Sequence, residues 1–256
     1  MPEPVIAAAT TPIHAVVTGA SRGIGLAIVR ALVAMPDVAG IDALARNATT
    51  SEGLRALGDP RVRAIDIDLA DHVAIDGYGR QLREREARVQ LIINAAGVLH
   101  ENGLQPEKAL ASVDAGALQR VFALNAFAPI LLARALQPVV PVDASCVFAS
   151  LSARVGSIGD NALGGWYAYR ASKSAQNQLL RTLSIEWKRT RPRATCLLLH
   201  PGTVETGLSQ PFRAGVRASR LFDADRAADQ LLGLVANATP ADSGRFIAWD
   251  GRDIPW

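Results

Sequence analysis

The chain has 256 residues, of which 49% are apolar and 20% are charged, and its formal net charge is +3. This composition favours a packed globular domain and argues against a disordered chain. A small positive charge without a dense Lys/Arg cluster argues against a nucleic-acid-binding protein. Two cysteines and four scattered histidines provide neither a disulfide framework nor a metal-ligand spacing, so we predict no bound metal.

No apolar run reaches the roughly 18 residues of a membrane-spanning helix. The best candidate, residues 121–133, is interrupted by Asn125 and Pro129. The chain starts Met-Pro-Glu-Pro, without the basic segment that opens a secretory signal. We therefore expect a cytoplasmic protein with no membrane partner.

In chain order, short apolar runs alternate with longer segments of helical periodicity. The predicted strands are 14–18, 38–44, 62–67, 89–94, 145–149, 194–200 and 246–249. The predicted helices are 24–34, 73–85, 118–136, 169–189 and 223–235, and Pro129 is a candidate kink. Strands that alternate with helices indicate βαβ units. We predict one α/β domain over 13–256, with a doubly wound, mostly parallel sheet and helices on both faces. Residues 1–12 are predicted to be a flexible tail.

A glycine-rich turn follows the first predicted strand. The segment Thr18-Gly-Ala-Ser-Arg-Gly-Ile-Gly25 leads directly into a helix. Glycines let backbone N–H groups approach a phosphate, and the helix N-terminus adds a partial positive charge. The spacing is G-x-x-x-G-x-G, and an ordinary turn is the alternative, but the position after the first strand favours a nucleotide-phosphate site. The candidate contacts are Gly19, Ser21, Arg22, Gly23, Ile24 and Gly25.

Four further motifs follow in order along the chain. They are Asn94-Ala-Ala-Gly97, Asn125 within a helix, Tyr169-x-x-x-Lys173, and Pro201-Gly-Thr-Val-Glu-Thr206. With the glycine-rich turn, they resemble the short-chain dehydrogenase/reductase family over roughly residues 13–256. Within that family, the segment 156–175 most resembles the C-factor/sniffer-like carbonyl reductases. The resemblance implies a Rossmann fold, a dinucleotide cofactor, a small carbonyl or alcohol substrate, and a homodimer or homotetramer.

The end of the second predicted strand bears on the choice between NAD and NADP. NAD sites usually place an acid there to bind the ribose, but Asp42 lies too early if the strand ends at Ala45. Arg46 suits the 2′-phosphate of NADP, and Arg22 is a second candidate cation. The alternative is that both arginines are solvated surface charges. We expect NADP, with NADPH preferred over NADH.

The resemblance assigns further cofactor contacts to the ends of later strands. Asp68, beside Leu69, is expected to receive the adenine amino group, and its alternative role is to cap the next helix. Asn94 is expected to brace the sheet, while Ala95, Ala96 and Gly97 leave room beside the adenosine ribose.

Beyond the sixth predicted strand, the resemblance implies contacts on the nicotinamide side of the cofactor. These are expected from Pro201, Gly202, Thr203, Val204 and Thr206. The segment 205–222 corresponds in position to the substrate lid of the family, and its alternative is an ordinary surface loop.

Tyr169 and Lys173 are four residues apart, so they share one face of a helix. A tyrosine with an unperturbed pKa of about 10 is a poor base at neutral pH, and a nearby ammonium lowers that pKa. The plain alternative is a pair on the helix surface. Tyr167 lacks a lysine four residues later, which leaves Tyr169 as the predicted acid or base.

The hydroxyl that the family places before this tyrosine is displaced. The usual position, three residues before Gly156, holds Ala153. Ser152 takes the role if the strand bulges by one residue, and otherwise the hydroxyl is absent. We choose Ser152, with Ser157 as the less favoured substitute.

Asn125 lies in a mostly apolar helix, where a buried amide must find partners. The resemblance implies that it holds a helix irregularity and supports a proton relay, and a satisfied core amide is the alternative. We thus predict an NADP(H)-dependent oxidoreductase whose catalytic residues are Tyr169, Lys173, Ser152 and Asn125. A dinucleotide-binding signalling or regulatory protein with little turnover is the second hypothesis. An extended-type sugar epimerase is disfavoured, because the expected G-x-x-G-x-x-G and longer substrate domain are missing.

Overall fold

A computed structural model describes residues 12–211 and 221–256. The predicted tail lies outside these residues except for its last position, and so does the part of the predicted lid that spans 212–220.

Within the described residues, seven strands form one sheet. They are β1 (Ile13–Thr18), β2 (Val38–Ala45), β3 (Val62–Asp66), β4 (Leu91–Asn94), β5 (Cys146–Leu151), β6 (Ala194–His200) and β9 (Phe246–Ala248). Their order is β3-β2-β1-β4-β5-β6-β9, and every pairing is parallel. Two short strands, β7 (Thr203–Val204) and β8 (Leu221–Phe222), pair separately.

Helices cover both faces of the sheet. They are α1 (Gly23–Val33), α2 (Glu52–Arg55), α3 (His72–Glu84), α4 (Ala115–Phe122), α5 (Ala128–Leu136), α6 (Tyr167–Thr190) and α7 (Ala224–Ala236). Helices α1 and α7 bury side chains such as Ile28 and Leu231 against one face. Helices α3, α5 and α6 bury Leu82, Leu132 and Trp187 against the other. The predicted doubly wound Rossmann fold is confirmed.

The predicted helix 118–136 is interrupted by a π-helical turn at Ala123–Phe127. Pro129 lies at the second position of α5, directly after this turn, where a missing N–H is tolerated. The irregularity therefore centres on Asn125 rather than on the proline.

Among the described residues, one helical run, Ala115–Val139, has the length and the apolar composition to cross a membrane. A helix that packs in a soluble protein meets the same test. This run places Leu132, Ala133 and Leu136 in the core beside the sheet.

Asp42 is buried in the middle of β2 and is surrounded by partners. Its Oδ2 accepts hydrogen bonds from Tyr78 at 2.7 Å and Arg63 at 2.6 Å, and His14 lies 3.5 Å from Oδ1. Burial alone would raise the pKa of Asp42, but the hydrogen bonds from His14 and Tyr78 and the nearby positive charges hold the pKa below its ordinary value of 3.8. Asp42 therefore binds the sheet to α3 rather than a ligand.

We predict that Asp42→Asn lowers the free energy of unfolding by roughly 1–3 kcal/mol, because it removes the charge that Arg63 and His14 surround. This stabilisation is present above pH 3.8 and disappears as the pH falls through the lower pKa of the folded state. Urea unfolding at pH 7 measures it. Asp76→Asn is the control, since Asp76 pairs with Arg134 on the exposed surface and should cost under about 1 kcal/mol. Equal losses in the two variants would contradict the prediction.

Candidate active site

A cavity of about 1010 Å³ opens at the carboxyl edge of the sheet. Its wall comes from the β1–α1 turn, the segments after β2, β3 and β4, the end of β5 and the first turns of α6. The strand order reverses between β1 and β4, and open α/β sheets bind ligands at such a switch point. The volume is sufficient for a large ligand such as a dinucleotide.

Most of the residues predicted from the sequence lie on this wall. They are Gly19, Ser21, Arg22, Gly23, Ile24, Gly25, Arg46, Asp68, Leu69, Ala95, Ala96, Gly97, Ser152, Tyr169, Lys173, Pro201 and Thr206. Five others do not line the cavity: Asn94, Asn125, Gly202, Thr203 and Val204.

The β1–α1 turn is tight because three of its residues are glycines. Gly19 and Gly23 have φ values of +66° and +56°, a left-handed region that glycine adopts readily. A Cβ on Gly25 would lie 2.2 Å from the Gly19 carbonyl oxygen. Helix α1 begins without a side-chain cap, so its first N–H groups remain for an anion. These features fit the pyrophosphate of a dinucleotide.

A pair of arginines lies beyond this turn. β2 ends at Ala45. This is the strand end on which the prediction of Arg46, rather than Asp42, as the cofactor contact depended. Arg46 Nη1 is 3.6 Å from Glu101 Oε2, and Arg120 Nε donates to Glu101 Oε1 at 2.8 Å. The hydrogen bond from Arg120 holds the pKa of Glu101 below its ordinary value. Arg120 also lines the cavity, so two cations and one anion meet here.

Asp68 does not cap the next helix. Its Oδ1 accepts from the Ala70 N–H at 2.9 Å, whereas α3 is capped by Asp71 through the N–H groups of Val73 and Ala74. The alternative assignment of Asp68 as the helix cap is therefore wrong, and Asp68 stays on the cavity wall as a candidate ligand contact.

Tyr169 and Lys173 lie one turn apart on α6, and both are buried. The Lys173 ammonium is 5.9 Å from the centroid of the Tyr169 ring. Burial raises the pKa of Tyr169 to about 12 and lowers the pKa of Lys173 to about 7. The expected lowering of the tyrosine pKa by the lysine charge is not seen in the protein alone, because desolvation disfavours both charged forms.

The start of α6 is a left-handed turn held by side chains from elsewhere. Residues 164–166 all have φ between +51° and +64°, which is unfavourable for Trp166. The buried Glu107 carboxylate accepts from the Ala168 N–H at 3.2 and 3.3 Å, and its backbone oxygen accepts from the Trp166 N–H. Arg170 Nε donates to the carbonyls at 164 and 165. These contacts fix the turn that carries Tyr169.

Ser152 lines the cavity, but its hydroxyl donates to Asn177 Oδ1 at 2.6 Å. The one-residue bulge expected in β5 is not found, since its pairing with β6 runs in continuous register to Leu151. Ser152 reaches the cavity because the strand ends there and a 3₁₀ turn, Arg154–Gly156, follows. Asn177 Nδ2 is buried and has no hydrogen-bond partner among the described residues. Ser157 accepts from the Asp160 N–H and does not line the cavity.

Asn125 occupies the π-helical turn and is fully buried. Its Oδ1 accepts from the Val98 N–H at 2.8 Å, and its Nδ2 donates to the Val98 carbonyl at 2.8 Å and to Ser172 Oγ at 3.1 Å. Asn125 thus joins the segment after β4 to α6, close to Tyr169 and Lys173.

Three strands are joined beneath the cavity by side chains. The Thr18 hydroxyl donates to Asn94 Oδ1 at 2.7 Å, and Asn94 Nδ2 donates to Ser150 Oγ at 2.8 Å. These bonds link β1, β4 and β5, which agrees with the expected bracing role of Asn94.

The segment after β6 turns away from the sheet at Gly202, whose φ is +79°. A Cβ there would lie 2.8 Å from the Phe222 ring. Val204 is buried in β7, whereas Thr206 packs against Gly23 across the cavity. The Gly207 carbonyl lies 2.9 Å from His100 Nε2. The start of the predicted lid therefore contacts the opposite wall.

Some wall residues were not assigned to the site from the sequence. Three of them fall within the predicted lid: Glu205, Gly207 and Leu208. Three others reach the wall only through tertiary packing: Arg120, Leu124 and Leu151. No three His, Cys, Asp or Glu side chains in 12–211 and 221–256 are grouped as a metal site.

Comparison with known proteins gives consistent likenesses. The C-signal protein of Myxococcus xanthus is 34% identical over 169 residues, which are 66% of this chain and 93% of that protein. The carbonyl reductase from chicken fatty liver, a structure with bound NADPH, is 25% identical with a TM-score of 0.84 and covers 96% of this chain and 95% of its own. The carbonyl reductase Sniffer of Drosophila melanogaster is 25% identical with a TM-score of 0.82, over 96% of this chain and all of its own.

These likenesses confirm the predicted resemblance to the C-factor/sniffer-like branch. Residues 13–217 match the short chain dehydrogenase family, and this range contains the glycine-rich turn, Asn94, Asn125 and the Tyr169–Lys173 pair. By this match and by its fold, the chain belongs to the short-chain dehydrogenase family of oxidoreductases.

Proposed function

We propose that this protein is an NADP(H)-dependent oxidoreductase that transfers a hydride between nicotinamide and a carbonyl or alcohol substrate. The observation that carries the proposal is that Tyr169 and Lys173 share one cavity with an uncapped, glycine-rich helix N-terminus. The bound NADPH of the chicken carbonyl reductase, whose fold is similar along nearly the whole chain, supports the choice of cofactor. When bound, the cofactor supplies or accepts the hydride.

Tyr169 exchanges the proton at the substrate oxygen. Its raised pKa keeps the hydroxyl protonated at neutral pH, which suits donation to a carbonyl oxygen during reduction. In the reverse direction the hydroxyl must lose its proton, and a charged Lys173 on the same helix face favours the phenolate. Lys173 therefore matters most for alcohol oxidation.

Ser152 is proposed to hold the substrate oxygen beside Tyr169. The Ser152 hydroxyl donates to Asn177 Oδ1 in the structure. This hydrogen bond must break before Ser152 can donate to a ligand. A half-turn of the Asn177 amide would present Nδ2 to Ser152 Oγ and free the hydroxyl proton. The lack of a partner for Nδ2 among the described residues supports this exchange.

Cofactor preference is assigned to the arginines of the wall. Arg46 lies directly after β2, and Arg120 reaches the same end of the cavity. Glu101 pairs with both guanidinium groups and Asp68 also acts on Arg120, so Arg46 is the guanidinium proposed to bind a 2′-phosphate. Arg22 in the glycine-rich turn adds a third guanidinium to the cavity wall.

A second candidate is a signalling protein that binds the dinucleotide with little turnover. The likeness to C-signal and the engagement of the Ser152 hydroxyl by Asn177 favour it. A panel of aldehydes and ketones with NADPH separates the candidates, because binding without NADPH consumption would support the second. The homodimer or homotetramer and the cytoplasmic location stay predictions.

We predict that Tyr169→Phe removes nearly all turnover and leaves NADPH binding largely unchanged, because only the hydroxyl is lost. Steady-state kinetics and fluorescence titration measure the two effects. Tyr167→Phe is the matched control, since Tyr167 is exposed at the start of the same helix. If Tyr167→Phe loses activity while Tyr169→Phe keeps it, the assignment is wrong.

We predict that Arg46→Asp weakens NADPH binding by roughly tenfold to a hundredfold and changes NADH binding little, because only NADPH has the 2′-phosphate. Dissociation constants for both cofactors are compared at one salt concentration. Arg134→Asp is the control, since Arg134 pairs with Asp76 on the exposed surface and does not line the cavity. Equal constants for NADPH and NADH in the wild type would refute the preference.

We predict that Ser152→Ala lowers kcat/KM on the order of a hundredfold, the effect of losing one oriented donor at a developing oxyanion. Ser157→Ala should change it far less, because Ser157 does not line the cavity. Kinetics with one aldehyde at saturating NADPH measure both variants. A large loss in Ser157→Ala with none in Ser152→Ala would reverse the assignment.

A further inference from the structure

Five buried polar side chains form a hydrogen-bonded chain from the sheet to α6. They are Thr18, Asn94, Ser150, Gln176 and Lys173, and none is more than 3% exposed. Four are accounted for by the sheet brace and the proposed chemistry. Gln176 is not, although it is the residue that connects the two.

The direction of each bond in the first half of this chain is determined. The Thr18 hydroxyl accepts from the Ala96 N–H at 3.3 Å and donates its own proton to Asn94 Oδ1 at 2.7 Å. The Asn94 amide must then present Nδ2 to Ser150 Oγ. Ser150 is thereby held as an acceptor at the end of β5.

The orientation of the Gln176 amide is determined as well. An ammonium only donates and a backbone carbonyl only accepts. Gln176 Oε1 therefore faces Lys173 Nζ at 2.8 Å, while Nε2 donates to Ser150 Oγ at 2.7 Å and to the Leu151 carbonyl at 3.2 Å. Ser150 and Leu151 together keep the side-chain oxygen of Gln176 directed at Lys173.

The ammonium of Lys173 has few other sources of stabilisation. It donates to the Leu151 carbonyl at 2.9 Å, and these two bonds are its hydrogen bonds within the described residues. Gly97 lies directly beside it, since a Cβ there would be in van der Waals contact with Nζ at 3.7 Å. Its neighbours from β5, the Leu151 carbonyl, and from the segment after β4, Gly97, are uncharged, and Tyr169 is the titratable group whose ring faces the ammonium.

We propose that Gln176 is a positioning residue for Lys173, whose side-chain oxygen holds the buried ammonium at the cavity wall and keeps it charged. An apolar side chain at this position would leave the ammonium with the Leu151 carbonyl as its protein acceptor. Burial already brings the pKa of Lys173 to about 7, so a lost acceptor would neutralise the amine at neutral pH. The catalytic consequence rests on the proposed function, but the charge of Lys173 does not.

The charge of Lys173 can be followed directly in the cofactor-free protein. The chain has three lysines, Lys108, Lys173 and Lys188, so ¹³C-labelled lysine gives three side-chain NMR signals. Lys173→Arg assigns the signal of Lys173. Its pH titration is then compared in the wild type and in Gln176→Leu, Gln176→Glu, Ser150→Ala and Gln178→Leu.

We expect Gln176→Leu to lower the titration midpoint of Lys173 by roughly one to two pH units, the effect of losing one hydrogen bond to a charged group. Gln176→Glu should raise the midpoint, because an anionic acceptor favours the ammonium. Ser150→Ala should lower it less, since the Gln176 amide keeps its bond to Leu151. Gln178→Leu is the matched control on the exposed face of α6 and should leave the midpoint unchanged.

An unchanged midpoint in folded Gln176→Leu would overturn the proposal. If thermal melting shows that this variant does not fold, an unchanged midpoint in both Gln176→Glu and Ser150→Ala would overturn it equally. In alcohol oxidation, the rising limb of the kcat pH profile should move to higher pH in Gln176→Leu and to lower pH in Gln176→Glu. If the midpoints shift as expected while the wild type turns over no substrate, the proposed function fails and the role of Gln176 stands.

Discussion

The hydrogen bond from Thr18 to Asn94 joins the two halves of the sheet where the strand order reverses. Parallel strands at this point diverge to helices on opposite faces and leave a crevice between them. The crevice needs polar groups to bind a ligand, yet the side chains beneath it must be held as rigidly as those of a hydrophobic core. Fully paired side chains satisfy both needs, because a buried polar group is costly only when it lacks a partner. Ser150 extends the same bonding towards α6.

The chemistry of the site depends on how much water the wall excludes. Tyr169 and Lys173 are both desolvated. Burial raises the pKa of the tyrosine and lowers the pKa of the lysine, so it favours the uncharged form of each. A proton donor at a carbonyl profits from a tyrosine that stays protonated, whereas a base at an alcohol requires the opposite. In the proposed chemistry, the protonated tyrosine suits reduction. Oxidation would depend on positive charge near the phenol, which the acceptors around Lys173 are proposed to maintain.

Sequence patterns predicted the features that depend on local spacing. These features are the glycine-rich turn, Asn94, Asn125 and the Tyr169–Lys173 pair. Each depends on residues close together in the chain, and each lies where it was expected. Contacts between distant segments had no such signal. Glu107 is an ordinary acid in the sequence, and its burial against α6 follows from a fold that brings residue 107 to residue 168. The hydroxyl direction of Ser152 likewise depends on Asn177, 25 residues away.

The turn at residues 164–166 joins the segment after β4 to the helix that carries Tyr169, through the carboxylate of Glu107. The first residues of this segment line the cavity. A transplanted loop that lacks an acid at this position would leave the first turn of α6 without its cap and the left-handed Trp166 without support. Any exchange of this loop therefore has to retain Glu107, together with Arg170, whose Nε donates to the carbonyls of the turn.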